Sequence, residues 1–118
     1  MGRARIDEQA GRDAVRAALD GTGERSDTAT AVRYLLQVLA DASPGHTVEV
    51  RVPPFGAGQA VEGPRHTRGT PPNVVELDAE TFIAIATGSL AWGEAASAGR
   101  VHASGARSDL SGLFPLEY

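Results

Sequence analysis

Cysteine is absent from the 118 residues, which excludes disulfides, thiol nucleophiles and thiolate metal ligands. Long apolar runs are missing too: the longest strongly apolar stretch, Phe82 to Ala86, falls far short of the ~20 residues that span a bilayer. There is no basic excess. A formal net charge of -4 favours solubility and gives no general attraction to phosphate backbones or acidic lipid surfaces, so nucleic-acid binding is not expected, and the short apolar runs give no expectation of stable membrane insertion. Met1, Gly2, Arg3 and Ala4 lead into the polar Asp7, Glu8 and Gln9 with no apolar core behind them, so no signal peptide is expected and a cytoplasmic location follows by default. Motifs for site chemistry are equally scarce. His46, His66 and His102 are scattered, without the His-x-x-x-His spacing that puts two ligands on one helical face. Ser89, Ser104 and Ser108 lie in no Gly-x-Ser-x-Gly pattern, and the glycines of Phe55 to Gly58 lack the Gly-Lys-Ser/Thr ending of a phosphate loop. No cofactor, metal or catalytic residue is expected, and the chain reads as non-enzymatic.

What is present is enough for one domain. Ile6, Ala10, Ala14 and Ala18 recur at helical spacing over residues 6–19, and a face made mostly of alanine predicts either light packing or a mobile arm. Asp20 to Gly23 read as a stop and linker, dividing an amino-terminal helix with linker (1–24) from the main domain (25–118). Val32, Leu35, Leu36 and Leu39 form a core-facing stripe at i, i+3, i+4, i+7, with Ser26 or Thr28 as cap and Ser43, Pro44 and Gly45 as terminator. Val48, Val50 and Val52 then alternate with Thr47, Glu49 and Arg51, predicting a half-solvated strand closed by Pro53 and Pro54. A weaker strand over 57–62, a proline- and glycine-rich loop over 63–72, and a strand over 73–77 follow. Asp78 is a good cap for a helix over 79–87, with Leu77 and Phe82 placed as a hydrophobic staple and Gly88 as its end. A short helix over 92–98, a last strand around Val101 and Ala103, and an apolar patch of Leu110, Leu113, Phe114 and Leu116 complete the chain. This order makes a mixed sheet with helices on one side plausible.

Several short motifs add a resemblance. Asp78 to Phe82, the Ala-Thr-Gly of Ala86 to Gly88, the Ala-Gly-Arg-Val of Ala98 to Val101, and Ser104-Gly105 followed by Asp109-Leu110 resemble the closing half of sterol-carrier domains. Pro-Pro-Phe-Gly at Pro53 to Gly56, with the run from Gly63 to Pro72, is similar to the short bacterial, mostly actinobacterial, branch of that family. The resemblance covers the chain from about Ser26. It implies an α/β (α+β) fold with a five-stranded, mostly antiparallel sheet, helices packed on one face, and an apolar pocket between the layers for fatty acids, acyl chains, sterols or other lipids. By position, it puts Phe82, Ile83, Ile85, Ala86, Trp92, Leu110 and Leu113 near the core or the pocket wall.

Each of these apolar side chains equally suits ordinary core packing. Trp92 either anchors the short helix or lines a ligand site or partner surface. The loop group Arg65, His66 and Arg68 is the polar candidate, because two guanidiniums can hold a carboxylate or phosphate through charge-assisted hydrogen bonds, with Thr67 and Thr70 adding hydroxyls. Alternatively these arginines satisfy loop carbonyls, or are neutralised by Glu62 and Glu76. The leading expectation is therefore binding or carriage of a lipid, fatty acid or other apolar or amphipathic small molecule. The alternative is a pocketless domain that docks a partner enzyme or forms a homodimer through Leu110 to Leu116. In a third class, His66 would act as acid or base in an enzyme or enzyme accessory.

Overall fold

Asp7 starts the first helix by accepting a hydrogen bond from the Ala10 backbone N–H (3.1 Å), and Gly21 ends it in the left-handed conformation. In the computed structural model, which describes residues 5–63 and 73–118, this helix is α1 (Glu8–Asp20). It is followed by α2 (Arg25–Ala42), β1 (Val48–Val52), β2 (Gly56–Ala60), β3 (Val74–Glu76), α3 (Ala79–Thr87), α4 (Trp92–Ser97), β4 (His102–Ser104) and a 3-10 turn at Ser111–Leu113.

Of the two alternatives for α1, packing holds, and it is closer than alanine alone explains. Gly11, Ala14 and Val15 are its buried residues. A methyl group built on Gly11 would sit 2.3 Å from the ring of Tyr34, so hydrogen at this position lets the aromatic ring of α2 lie flat on the α1 backbone. The cap of α2 is neither Ser26 nor Thr28. Glu24 precedes the first turn, and the Asp27 carboxylate accepts a hydrogen bond from the Glu24 backbone N–H (2.9 Å), one limb of a capping box. The predicted stripe of α2 is buried as expected: Val32, Leu35, Leu36 and Leu39 are all inaccessible or nearly so.

β1 begins one residue later than the alternation suggests, with Val48, Val50 and Val52 buried and Glu49 and Arg51 half-exposed, whereas Thr47 just ahead of it is buried rather than solvated. The chain reverses through Pro53 and Pro54, joined by a cis peptide bond, and the Phe55 N–H donates to the Val52 carbonyl (2.9 Å). β2 then pairs antiparallel with β1, Val52 opposite Gly56 and Val48 opposite Ala60. β2 ends earlier than the sequence suggests because Val61 takes a φ of 72°, outside the strand region. Its N–H donates to the Ser43 carbonyl, and its carbonyl accepts from the Thr47 N–H. Gly45 packs so close to this carbonyl that a Cβ there would fall 2.0 Å from the Val61 oxygen.

β3 lies on the other side of β1 and runs parallel to it; β4 pairs antiparallel with β3. The described sheet thus has four strands in the order β2-β1-β3-β4 and is mixed. This corrects the five-stranded, mostly antiparallel sheet that the resemblance implies. The residues after β4 are committed elsewhere: the chain turns at Gly105, passes through the 3-10 turn, and is fastened to α3 by the Leu116 N–H donating to the Ala86 carbonyl (2.8 Å). Buried Asn73 ties the sheet to this returning segment. Its amide donates to the Thr47 carbonyl (3.0 Å) and its side-chain oxygen accepts from the Arg107 N–H (2.9 Å).

The α3 reading holds in detail. The Asp78 carboxylate accepts from the Thr81 N–H (2.8 Å), Leu77 and Phe82 are buried as the staple requires, and Gly88 closes the helix at φ 89°. The Thr81 backbone hydrogen bond is the main reason the Asp78 carboxyl titrates below its ordinary range, against a smaller opposing effect of burial. Because the folded-state pKa is depressed, this contribution is present above the ordinary carboxylate value and lost as pH falls through the folded one.

Two outcomes are expected. Asp78→Ala lowers stability by about 1 kcal/mol at neutral pH in urea titrations, and the gap from the parent narrows below the ordinary aspartate pKa as the parent itself loses the charged cap. Gly11→Ala, although alanine is the better helix former, destabilises by about 1–3 kcal/mol because of overpacking against Tyr34; a Gly11→Ala protein that melts at or above the parent temperature contradicts the α1–α2 packing.

Candidate functional site

The space directly behind the centre of the sheet is filled. Val32, Leu35, Val48, Val52, Val75 and Phe82 have no accessible surface at all, so no water-sized void touches them. Room opens instead at the β2 edge. On the helix-facing side, β1 presents Val48, Val50 and Val52, whereas their partners in β2 are Ala60, Gly58 and Gly56. The sheet surface therefore steps down from isopropyl groups to bare backbone just where α2 crosses it. The result is a groove of about 330 Å³ between α2 and β2, lined by Arg33, Leu36, Gln37 and Ala40 of α2, Gly56 to Gly58 of β2, and Arg5 and Ile6 ahead of α1.

Neither Gly56 nor Gly58 is required by backbone geometry, since neither has a left-handed φ. Neither is required by crowding, since an added Cβ would meet Leu36 at ordinary van der Waals distances of 3.5 Å and 3.6 Å. Glycine within a strand costs roughly 0.5–1 kcal/mol relative to alanine. The two glycines therefore lower the floor of the groove beneath Leu36 at a cost in stability that neither backbone geometry nor crowding requires.

The groove has one cationic end. The Arg33 Nε donates to the Phe55 carbonyl (3.1 Å), and the Arg25 guanidinium lies over the Phe55 ring, 4.9 Å from its centroid. Neither arginine pairs with a carboxylate among the described residues. Arg25 also sits in the first turn of α2, where the helix dipole disfavours a cation; its contact with Phe55 offsets part of that penalty. At the opposite end the charge is neutralised, because Arg5 grips Asp41 through two contacts of 3.3 Å and 2.5 Å. This pairing is the main cause of the raised pKa of the Arg5 guanidinium.

The residues named from sequence are distributed differently. Phe82, Ile85, Ala86 and Leu110 are buried in the core. Ile83 is buried at the edge of a separate depression of about 490 Å³, between α1, α2 and α3, that also includes Ala18, Leu19, Thr28 and Glu80. Trp92 is half-buried and stacked on Phe114, ring centroids 5.9 Å apart and planes 11° from parallel; Leu113 is half-buried beside this end of the chain. None of these seven lines the α2–β2 groove. Arg65, His66 and Arg68, with Thr67 and Thr70, lie outside the described residues. The segment from Leu110 to Leu116 folds back onto the protein, with Leu110 and Leu116 buried and Phe114 covering Trp92. His46 pairs with Gln59, and Ser108 donates its hydroxyl to the Gly105 carbonyl (2.8 Å) to brace the turn after β4. No helix among the described residues is long and apolar enough to cross a membrane.

Residues 24–116, which carry the sheet, the helices α2 to α4 and all of the groove lining except Arg5 and Ile6, match the family described as bacterial SCP ortholog. The chain belongs to that family. No curated protein matches it. Within this bacterial SCP ortholog domain, α2 and β2 supply the groove, while Arg5 and Ile6 come from ahead of the matched region.

The groove residues missed from sequence left two signals. Glycines at alternate positions 56 and 58 of a weak strand mark one face as bare, and Arg33 and Gln37 stand at i, i+4 beside the apolar stripe of α2. Gly58→Ala is expected to raise stability by about 0.5–1 kcal/mol in denaturant titrations while narrowing the groove. A loss of stability would show that the position is needed for packing.

Proposed function

We propose that the chain is a non-enzymatic binding protein for a small amphipathic molecule, held in the α2–β2 groove with its apolar part along Leu36, Ala40, Ile6 and the bare floor of β2 and its acidic end at Arg33. The observation that carries this reading is the pair of glycines that lowers the groove floor beside Leu36 without any conformational or steric need for them. Membership of a sterol-carrier family supports an apolar ligand. The volume, about 330 Å³, lies at the lower end of the roughly 300–1,000 Å³ range of small-molecule pockets, which favours a medium-length chain over a large ring system. Each methylene removed from water contributes about 0.8 kcal/mol, and a carboxylate that meets Arg33 gains a charge-assisted hydrogen bond. Arg25, gathered around the same Phe55, adds a second positive charge near that end.

The test uses decanoate, with decanol and decyltrimethylammonium as neutral and cationic counterparts, read by calorimetry and native mass spectrometry. Decanoate is expected to bind best. Filling the floor with Gly56→Ala/Gly58→Ala is expected to weaken all binding about tenfold, equivalent to about 1.4 kcal/mol. Arg33→Gln is expected to weaken decanoate about tenfold and leave decanol unchanged. No binding of any of the three, or binding indifferent to the double alanine variant, would sink the reading.

A further inference from the structure

The groove has a third wall that the matched domain does not supply. Arg5 and Ile6 cross the outer face of α2 as a short strap and line the groove opposite β2. Two fastenings hold the strap, four residues apart on the same face of the helix. The Gln37 side chain clamps the Ile6 backbone from both sides, its oxygen accepting from the Ile6 N–H (2.9 Å) and its amide donating to the Ile6 carbonyl (3.0 Å). One turn further on, the Arg5 guanidinium meets the Asp41 carboxylate as a fork. Gln37 itself lines the groove together with Leu36 and Ala40, so the first fastening is part of the groove wall, whereas Asp41 is not.

Resting on the ligand reading above, we infer that this strap is the closing wall of the site: it packs Ile6 over the bound apolar chain, and ligand and strap hold each other in place. Three features support this. Ile6 is half-buried and packed against the core cluster, so it offers an apolar surface rather than a polar rim. The Arg5–Asp41 pair is solvent-exposed, with side-chain exposures of 66% and 54%, so it is a weak fastening that releases readily. The strap ends at Asp7, which caps α1 independently through Ala10, so it can lift without unwinding the helix behind it. A ligand that gains contact with Ile6 must by linkage favour the fastened state to the same degree that the fastened state favours the ligand.

The variant that isolates the strap is Asp41→Ala. Asp41 does not line the groove, lies in the last turn of α2 where a carboxylate is disfavoured by the helix dipole, and is replaced by the best helix former, so folding is retained. In the parent, saturating decanoate is expected to slow hydrogen exchange of the Ile6 amide severalfold by NMR. Asp41→Ala is expected to speed that exchange in the free protein and to weaken decanoate binding about two- to fivefold. Raising the salt to about 1 M, where the screening length is about 3 Å, is expected to speed Ile6 exchange in the ligand-free parent as Asp41→Ala does and to add little to exchange in the ligand-free variant. Faster Ile6 exchange on binding would make the strap a competitor of the ligand and overturn the inference. Unchanged exchange together with parent-like affinity in Asp41→Ala would also overturn it, while sensitivity to Gly56→Ala/Gly58→Ala would leave the groove reading standing. Absence of decanoate binding to the parent would remove both.

Discussion

Helix α2 is packed on three sides, and the remaining architecture is arranged around that constraint. A helix places residues three and four apart on one stripe, and α2 uses three such stripes. Val32, Leu35 and Leu39 go into the core. Tyr34, Gln37 and Asp41 meet α1 and the strap before it, through Gly11, Ile6 and Arg5. Arg33 and Leu36 meet the β1–β2 turn and β2. An ordinary surface helix hides one stripe and leaves the rest to water. Here the two additional contacts are asymmetric, one closed tightly by a glycine beneath an aromatic ring and the other fitted more loosely, with room for a methyl group at each of two glycines in the facing strand.

That asymmetry separates two uses of glycine that look alike in sequence. At Gly11 a methyl group has no room, so the residue is demanded by packing. At Gly56 and Gly58 a methyl group has room, so packing alone would favour alanine. The same reasoning separates the arginines. Arg5, Arg12 and Arg51 each face a carboxylate, and Arg100 donates to the Thr81 hydroxyl beside the Asp78 cap. Arg25 and Arg33 instead converge on Phe55, one over its ring and one at its carbonyl. All eleven basic residues of the chain are arginine, whose planar fork is suited to fixed geometries of this kind.

Much of the fold was legible because its signals are local. Alternating valines give β1, Asp78 with Leu77 and Phe82 gives the start of α3, and the four-residue stripe gives the buried side of α2. Local signals also gave the mixed character of the sheet, whereas analogy to relatives supplied a fifth strand that the described residues do not form. The site was less legible because it is a property of pairs distant in sequence. The floor appears only once Gly56 and Gly58 are set against Val52 and Val50, and the strap only once Ile6 is brought to Gln37. Among the apolar residues singled out from sequence, Phe82, Ile85, Ala86 and Leu110 lie in the core, and their hydrophobicity is explained by that burial without any ligand.

The two outer strands have a consequence for how the protein behaves among its own copies. β4 is three residues long with all three side chains exposed, and β2 is five residues with glycine at two of them and no branched or aromatic side chain. An unpaired strand edge invites hydrogen bonding to another chain in proportion to its length and its propensity for extended structure. Among the described residues both borders of the sheet are poor templates on each count, so neither outer strand gives a neighbouring copy much to pair with.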